Sequence, residues 1–312
     1  MNMQLTIGPI LFDWKKQDLF RFYDEVADMP VDMVYLGEVV CAKKNGLTVK
    51  ELEVIGKKLE KAGKEVVVSS LAVVSNEEEL KLVRDIAQLP FAVEANDMSV
   101  FNIKSEIGNR KSEIIAGPHI ATYNAPSIEF LKSIGVNRVV FPVELSRDSV
   151  NHCIQNTGID AEIFAHGKAP LAFSWRCYTS RAYGLNKTNC RYHCKQHPDG
   201  MPLKTIEGEP TFTINGTSVL SALTYTLVEP IEDLKAIGIK ALRISPQYQH
   251  TKRIVDVFRK RIDGIIGHDE GLAMLKQTSP LGFCNGWYWG RAGKEYLAAA
   301  KKSVCGVVAA AS

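Results

Sequence analysis

The chain has 312 residues, of which 46% are hydrophobic and 23% charged. This suffices for one large folded domain or two ordinary ones and excludes a disordered or fibrous chain. Its 38 basic and 35 acidic residues leave a net charge of +3, too balanced to argue for nucleic acid as a partner. Seven cysteines, an odd number in a chain this long, are not a disulfide framework and fit a reduced, cytoplasmic compartment.

In chain order, the opening MNMQLTIGPILFDWKK has no basic region ahead of its brief apolar run, so no secretory leader is expected. No stretch has the length of a transmembrane helix, and the tail CGVVAAAS is too short to span a membrane. A buried strand is predicted over QLTIGPILF from Gln4, then an amphipathic helix over KQDLFRFYDEVADM, then a strand over MVYLGE from Met33 to Glu38. Thr48 and Glu51 have the spacing of a capping box, which opens a helix striped by Leu52, Ile55, Leu59 and Ala62 and stopped at Gly63. EVVVSSLAVV is the next strand. Ser75 with Glu78 reads as a second capping box, and Pro90 ends the helix behind it.

The alternation continues. FAVEAND from Phe91, EIIAGPH from Glu113 and EIFAHG from Glu162 are predicted strands. SIEFLKSIGVNRVVFPVE passes from helix through glycine to strand, and EDLKAIGIKALRISPQ repeats that unit about a hundred residues later. EPTFTING has a polar, β-like character, and HPDGMPLKTIEGEP before it, rich in Pro and Gly, reads as a loop. Alternating strands and helices predict an α/β fold with a parallel sheet, and seven or eight units favour a (β/α) barrel, complete or distorted. The doubly wound alternative lacks a GxGxxG after the first strand and any Walker A motif. A single domain is expected over 1–312, with a cysteine-bearing insertion around 173–215.

That insertion holds FSWRCYTSRAYGLNKTNCRYHCK, with Cys177, Cys190 and Cys194 among cationic neighbours. Cations favour thiolate, the metal-binding form. Cys190 and Cys194 are four apart and would share one face of a helical turn, with Cys177 arriving from another direction. Three sulfurs want a fourth ligand, and Cys41, three residues past Glu38 on an early strand-end loop, can supply it. Cys153 and Cys305 read instead as small buried hydrophobes. Zinc and an iron–sulfur cluster both remain open on this reading. One CxxxC plus two single cysteines is no standard zinc finger, whereas Lys43, Lys44, Arg176, Arg181 and Arg191 would offset the negative charge of a four-thiolate cluster.

Barrel chemistry sits at the C-terminal ends of the strands. Polar residues expected there are Glu38, Glu94, Asn96, Asp97, His119, Glu144, Arg147, Glu162, His166, Arg243 and Ser245. Glu162 and His166 could form a catalytic pair or simply hydrogen-bond within the barrel mouth. Arg147 with Glu144 could grip a dicarboxylate, helped by Arg243, or form a plain salt bridge. Trp287, Tyr288 and Trp289 suit a core or a partner interface.

YLGEVVCAKK, EIFAHG, PLAFSWRCYTSR and the following CxxxC resemble the U32 peptidase-like family, over nearly the whole chain from IGPILFDW to CNGWYW. PVELSRD from Pro142 and CNGWYW from Cys284 are similar to its ubiquinone-biosynthesis branch. The resemblance implies a [4Fe-4S] cluster on Cys41, Cys177, Cys190 and Cys194. The second and third loop cysteines stand here in a loop of slightly different length, and Cys284 is the reserve ligand. It further implies a heterodimer with a UbiU-like partner, serving oxygen-independent hydroxylation of a polyprenyl-phenol ubiquinone precursor. Prephenate is the implied oxygen source, and a lipid-binding accessory protein a further partner. No Ser/His/Asp set or HExxH motif supports the peptidase label. A stand-alone hydrolase, a zinc-stabilised binding subunit and RNA modification are the rival readings.

Overall fold

The computed structural model describes residues 3–44, 46–107 and 113–299. Cys305 and the apolar tail therefore lie outside the described residues. Short strands at Gln4–Ile7 (β1), Met33–Gly37 (β2), Glu65–Ser69 (β3), Ala92–Ala95 (β4), Ile114–Ala116 (β5) and Val136–Phe141 (β6) run parallel, each hydrogen-bonded to the next. The long strand Asp160–Phe173 (β7) pairs its first half with β6. Its second half leaves the barrel and is followed by an antiparallel excursion of Met201–Lys204 (β8), Pro210–Asn215 (β9) and Ser218–Thr226 (β10). The chain then returns through Ala241–Ile244 (β11), which pairs with both β7 and β1. That double pairing closes an eight-stranded parallel barrel, so the expected barrel is complete. Phe283–Cys284 (β12) adds to the edge of β10.

Helices Lys16–Ala27 (α1), Val49–Lys61 (α2), Glu77–Ala87 (α3), Ser99–Ile107 (α4), Ala125–Ser133 (α5) and Arg147–Thr157 (α6) alternate with these strands. Tyr178–Ala182 (α7) follows β7, Ile231–Ala236 (α8) precedes β11, and Thr251–Ile262 (α9) and His268–Leu275 (α10) complete the set. The main core lies between sheet and helices. A second, smaller cluster of Met33, Tyr35, Val67, Ile115 and Val140 fills the barrel interior. Along β2, Met33 and Tyr35 point inward and Val34 and Leu36 join the outer core, the period of two a strand imposes.

Local signals hold with small shifts of register. Thr48 and Glu51 form the predicted capping box, and Gly63, at φ +81°, takes the left-handed turn after α2. The two echoing units are α5–Gly135–β6 and α8–Gly238–β11, and both glycines have φ above +90°. The second cap moves by one residue. Asn76, not Ser75, accepts the Glu79 N–H, and the Glu79 carboxylate, not that of Glu78, reaches back to Ser75. The first and third strands are shorter than predicted, because Gly8–Pro9 and Ser70–Leu71 turn out of the sheet as loops. The segment read as a loop before EPTFTING contains β8, which pairs antiparallel with β9 from Met201 opposite Ile214 to Lys204 opposite Pro210.

Replacing Asn76 with Ala should lower stability by about 1 kcal/mol, while Glu78→Ala should change it by under about 0.5 kcal/mol, read as shifts of the urea midpoint.

Candidate functional site

Two sites stand at the C-terminal end of the barrel. The first is a cavity lined by Cys41, Cys177, Cys190 and Cys194, with Lys43, Lys44, Lys187 and His193 around them. Three separate segments deliver the sulfurs. Cys41 follows β2, where Gly37 adopts φ +118° and a Cβ would stand 2.6 Å from the Ser69 carbonyl oxygen, so only glycine lets the chain turn here. The turn is held by Glu38, whose carboxylate accepts the N–H groups of Val40 and Cys41 and pairs with Lys44 at 3.0 Å. Cys177 caps α7, and its Sγ accepts the backbone N–H and hydroxyl of Ser180. The β9–β10 turn locks these two segments together. The Gly216 carbonyl accepts the Tyr178 N–H, and the Thr217 hydroxyl donates to the Val40 carbonyl.

Cys190 and Cys194 do not share a helical turn as expected. Cys190 caps the end of one 3-10 turn, Lys187–Asn189, and Cys194 lies in the next, His193–Gln196, with Arg191 and Tyr192 between them at φ of +50° and +55°. That left-handed kink re-aims both sulfurs into the cavity. Cys194 Sγ donates to the buried carboxylate of Asp13 at 2.9 Å. Burial pushes the Cys41 thiol up, and burial together with Asp13 does the same to Cys194. The neighbouring Lys44 acts in the opposite direction at both sulfurs, favouring the thiolate. Of the five cationic residues expected to surround the sulfurs, Lys43 and Lys44 line the cavity, whereas Arg176, Arg181 and Arg191 are exposed. Lys187, not anticipated, lines it too and lies 3.8 Å over the Trp175 ring. Cys153 is buried in the core behind α6, and Cys284 is buried in β12, away from the cavity.

The second site is the barrel mouth. Glu162, in β7, accepts from the Thr6 hydroxyl and from Arg243 Nε through one oxygen, and from the Tyr35 hydroxyl through the other. Arg243 Nη1 donates to Glu94 at 2.6 Å, and its guanidinium stacks 3.9 Å over the Tyr35 ring. Arg138 reaches Glu162 at 3.7 Å from the other side. Asn96 donates to Glu94 and to the Ser70 carbonyl. Burial pushes the Glu162 carboxyl up, but Arg243, Arg138 and the Tyr35 hydroxyl outweigh it and hold it below the usual range.

This network rearranges the other expected pairs. Glu162 and His166 form no catalytic pair, because Glu162 is committed to Arg243 and Tyr35 while His166 Nδ1 meets the Thr226 hydroxyl at 3.0 Å. Arg147 does not pair with Glu144. Its guanidinium grips Asp233 with two nitrogens at 2.7 Å, and Glu144 accepts from the Tyr123 hydroxyl instead. Asp233 also accepts from Tyr288, the fully buried residue of the aromatic run, so that run serves the core. Thr6, Asp13, Tyr35 and Arg138 were not anticipated. Asp13 lay hidden because the first strand was expected to run to Phe12, which left no loop there to carry it.

A family model for peptidase family U32 matches residues 19–298. The chain belongs to peptidase family U32. Among curated relatives it is similar to "tRNA hydroxylation protein P1" of Bacillus subtilis (strain 168), 26% identical over 165 residues, covering 49% of this chain and 38% of that protein. "23S rRNA 5-hydroxycytidine C2501 synthase" of Escherichia coli (strain K12) is 24% identical over 151 residues, covering 46% of this chain and 22% of that protein. The chain thus spans well under half the length of these relatives. A solved U32 peptidase overlaps 79% of this chain and 94% of its own, with 11% identity and a TM-score of 0.46. No helix among the described residues is long and apolar enough to cross a membrane.

Burial holds both His166 and His119 at a pKa of about 3, with Arg243 adding to the effect at His119, against about 6.5 when unfolded. The unfolded chain then binds more protons, so this contribution is complete above about pH 6.5 and is lost as pH falls towards 3. Melting temperatures measured between about pH 6.5 and 4 should fall, and less steeply in a His166→Gln protein. Glu162→Gln should cost about 3–5 kcal/mol at neutral pH, since it removes a buried charge facing two arginines.

Proposed function

We propose that this chain is the iron–sulfur subunit of an oxygen-independent hydroxylation system. The single observation carrying this reading is that four cysteines from three chain segments face one cavity. Among the described residues, no three of these sulfurs come within 4.8 Å of one another, since the only His, Cys, Asp and Glu group that tight is Glu229, His268 and Asp269. A single tetrahedral zinc, with Zn–S of about 2.3 Å, draws its sulfurs to roughly 3.8 Å apart. The four-sulfur donor set suits an iron–sulfur cube in kind. Cys41, Cys177, Cys190 and Cys194 would hold the cluster, which when bound supplies one-electron transfer. Lys43, Lys44 and Lys187 would offset its charge, and Ser180 donates to a sulfur, as groups around thiolates do.

The hydroxylation reading draws on the names of the curated relatives. The choice of a polyprenyl-phenol ubiquinone precursor draws on the motifs PVELSRD and CNGWYW, and makes the chain a UbiV-type subunit of a heterodimer with a UbiU-like partner. Prephenate would be the oxygen source. RNA is the second reading, favoured by the relatives' printed substrates. Exposed Trp175, Tyr178, Tyr183 and Tyr192 alternate with Arg176, Arg181 and Arg191 beside the cysteine cavity, the mix of ring and cation that single-stranded RNA uses. Peptide hydrolysis is disfavoured, because Glu162 is locked into its ion pairs and has no free oxygen to act as a base.

Purified without oxygen and with its partner, the Cys177→Ala protein should lose its iron and brown colour. Full iron in that variant would refute the ligand set. Cells dependent on this pair should regain ubiquinone without oxygen, whereas a hydroxylated nucleoside appearing in its place would select the RNA reading.

A further inference from the structure

A cleft of about 580 Å³, lined by Arg147, Glu229, Asp233, His268 and Trp289 among others, shares no lining residue with the cysteine cavity or the barrel mouth. Its positive charges are already matched. Arg147 is held by Asp233 and Asp148, and Arg261, which donates to the Glu229 carbonyl, pairs with Glu232 at 2.8 Å. Glu229 is 3% exposed, yet its carboxylate has no cationic partner among the described residues. The one hydrogen bond it accepts there comes from the Tyr296 hydroxyl. A buried carboxylate met by a single neutral donor is costly to hold and calls for a positive charge.

A carboxylate oxygen of Glu229, a ring nitrogen of His268 and a carboxylate oxygen of Asp269 lie within 4.8 Å of one another. His268 Nδ1 stands 3.1 Å from Asp269 Oδ1. It nonetheless makes no hydrogen bond with any described residue and is shut off from water. The acidic first turn of α10, with Asp269 and Glu270, suits the helix dipole without any ligand. Glu229 comes from outside that helix, so the dipole does not account for it. Arg261 fixes both segments, donating from Nε to the Val228 carbonyl, from Nη2 to that of Glu229 and from Nη1 to that of Ile266, each at 3.0 Å. One buried side chain thus holds the backbone beside both halves of the group. Gly271 makes room for it, since a Cβ there would stand 2.8 Å from Arg261 Cδ.

We propose that Glu229, His268 and Asp269 bind a divalent transition-metal ion, at a site separate from the cysteine cavity. An imidazole with two carboxylates suits Mn²⁺, Fe²⁺ or Zn²⁺, whereas Mg²⁺ and Ca²⁺ prefer oxygen donors alone. Ligand atoms at about 2.1 Å from such an ion stand roughly 3.0–3.4 Å apart, so His268 and Asp269 close in by about 1 Å on the fixed Glu229. Their side chains, 43% and 88% exposed, are free to make that movement. The ion supplies the positive charge that Glu229 lacks. The Tyr296 hydroxyl holds the Glu229 carboxylate in place, as hydrogen-bond donors do around metal ligands.

Titration of the full chain with Mn²⁺, followed by loss of the free ion's EPR signal, tests the site without any cluster, since Mn²⁺ favours oxygen and nitrogen donors over thiolates. The chain should take up a single Mn²⁺. His268→Gln and Asp269→Asn, both outside the core, should each weaken that binding at least tenfold. Glu270→Gln, in the same helical turn but outside the group, should bind Mn²⁺ as the parent chain does, and so should Cys177→Ala. No Mn²⁺ uptake, undiminished uptake in either ligand variant, equal weakening in Glu270→Gln, or loss of uptake in a folded Cys177→Ala protein would each overturn the proposal.

Discussion

The pairing of Glu162 with Arg243 is the interaction on which the rest of the structure depends. Two charges at the centre of a barrel are tolerable only if every lone pair and N–H nearby is matched. Here the matching recruits Thr6 from β1, Tyr35 from β2, Glu94 from β4 and Arg138 from β6 around residues of β7 and β11. Six of the eight barrel strands are thereby tied to one polar point. A slip of one residue in any of them would turn its contributor to the outer face and leave a buried charge unpaired. This is a different solution from the layers of branched apolar side chains that usually fill such barrels. It makes register, as well as closure, a requirement of the network.

The cysteine cavity depends on that closure. Its sulfurs come from the loop after β2 and from the excursion between β7 and β11, and Asp13 adds a carboxylate from the loop after β1. β1 and β2 are neighbours, and β1 meets β7 through β11. Closing the barrel at β11 is therefore what brings the start of the chain against its middle. The β9–β10 turn then fastens the Cys41 loop to α7 through Gly216 and Thr217. Four sulfurs, far apart in sequence, end on one enclosed space because two strand-end loops and one hairpin are fixed to the same rim.

Much of this was legible in the sequence wherever the signal is local. The repeating strand–helix alternation and the echo ending in Gly135 and Gly238 gave the barrel, since a left-handed glycine after a helix leaves its mark in the chain itself. Gathering Cys41 with the central three cysteines needed only their placement on strand-end loops. Non-local pairing was not legible. Glu162 and His166 are four apart, yet their partners, Arg243 and Thr226, lie 81 and 60 positions away. Arg147 found Asp233 across 86 positions instead of Glu144 beside it. Nothing in the local pattern of a charged residue names its partner. The kink at Arg191–Tyr192 was equally hidden, because non-glycine residues there adopt positive φ under tertiary constraint against their own preference.

The central claim is that these four cysteines hold an iron–sulfur cluster serving hydroxylation. The most direct measurement is iron, zinc and acid-labile sulfide in the full chain, co-expressed with the proposed UbiU-like partner and purified without oxygen. The account predicts iron and sulfide in equal amounts, about four of each per chain, with broad visible absorbance. Zinc without sulfide, or neither iron nor sulfide, would contradict it.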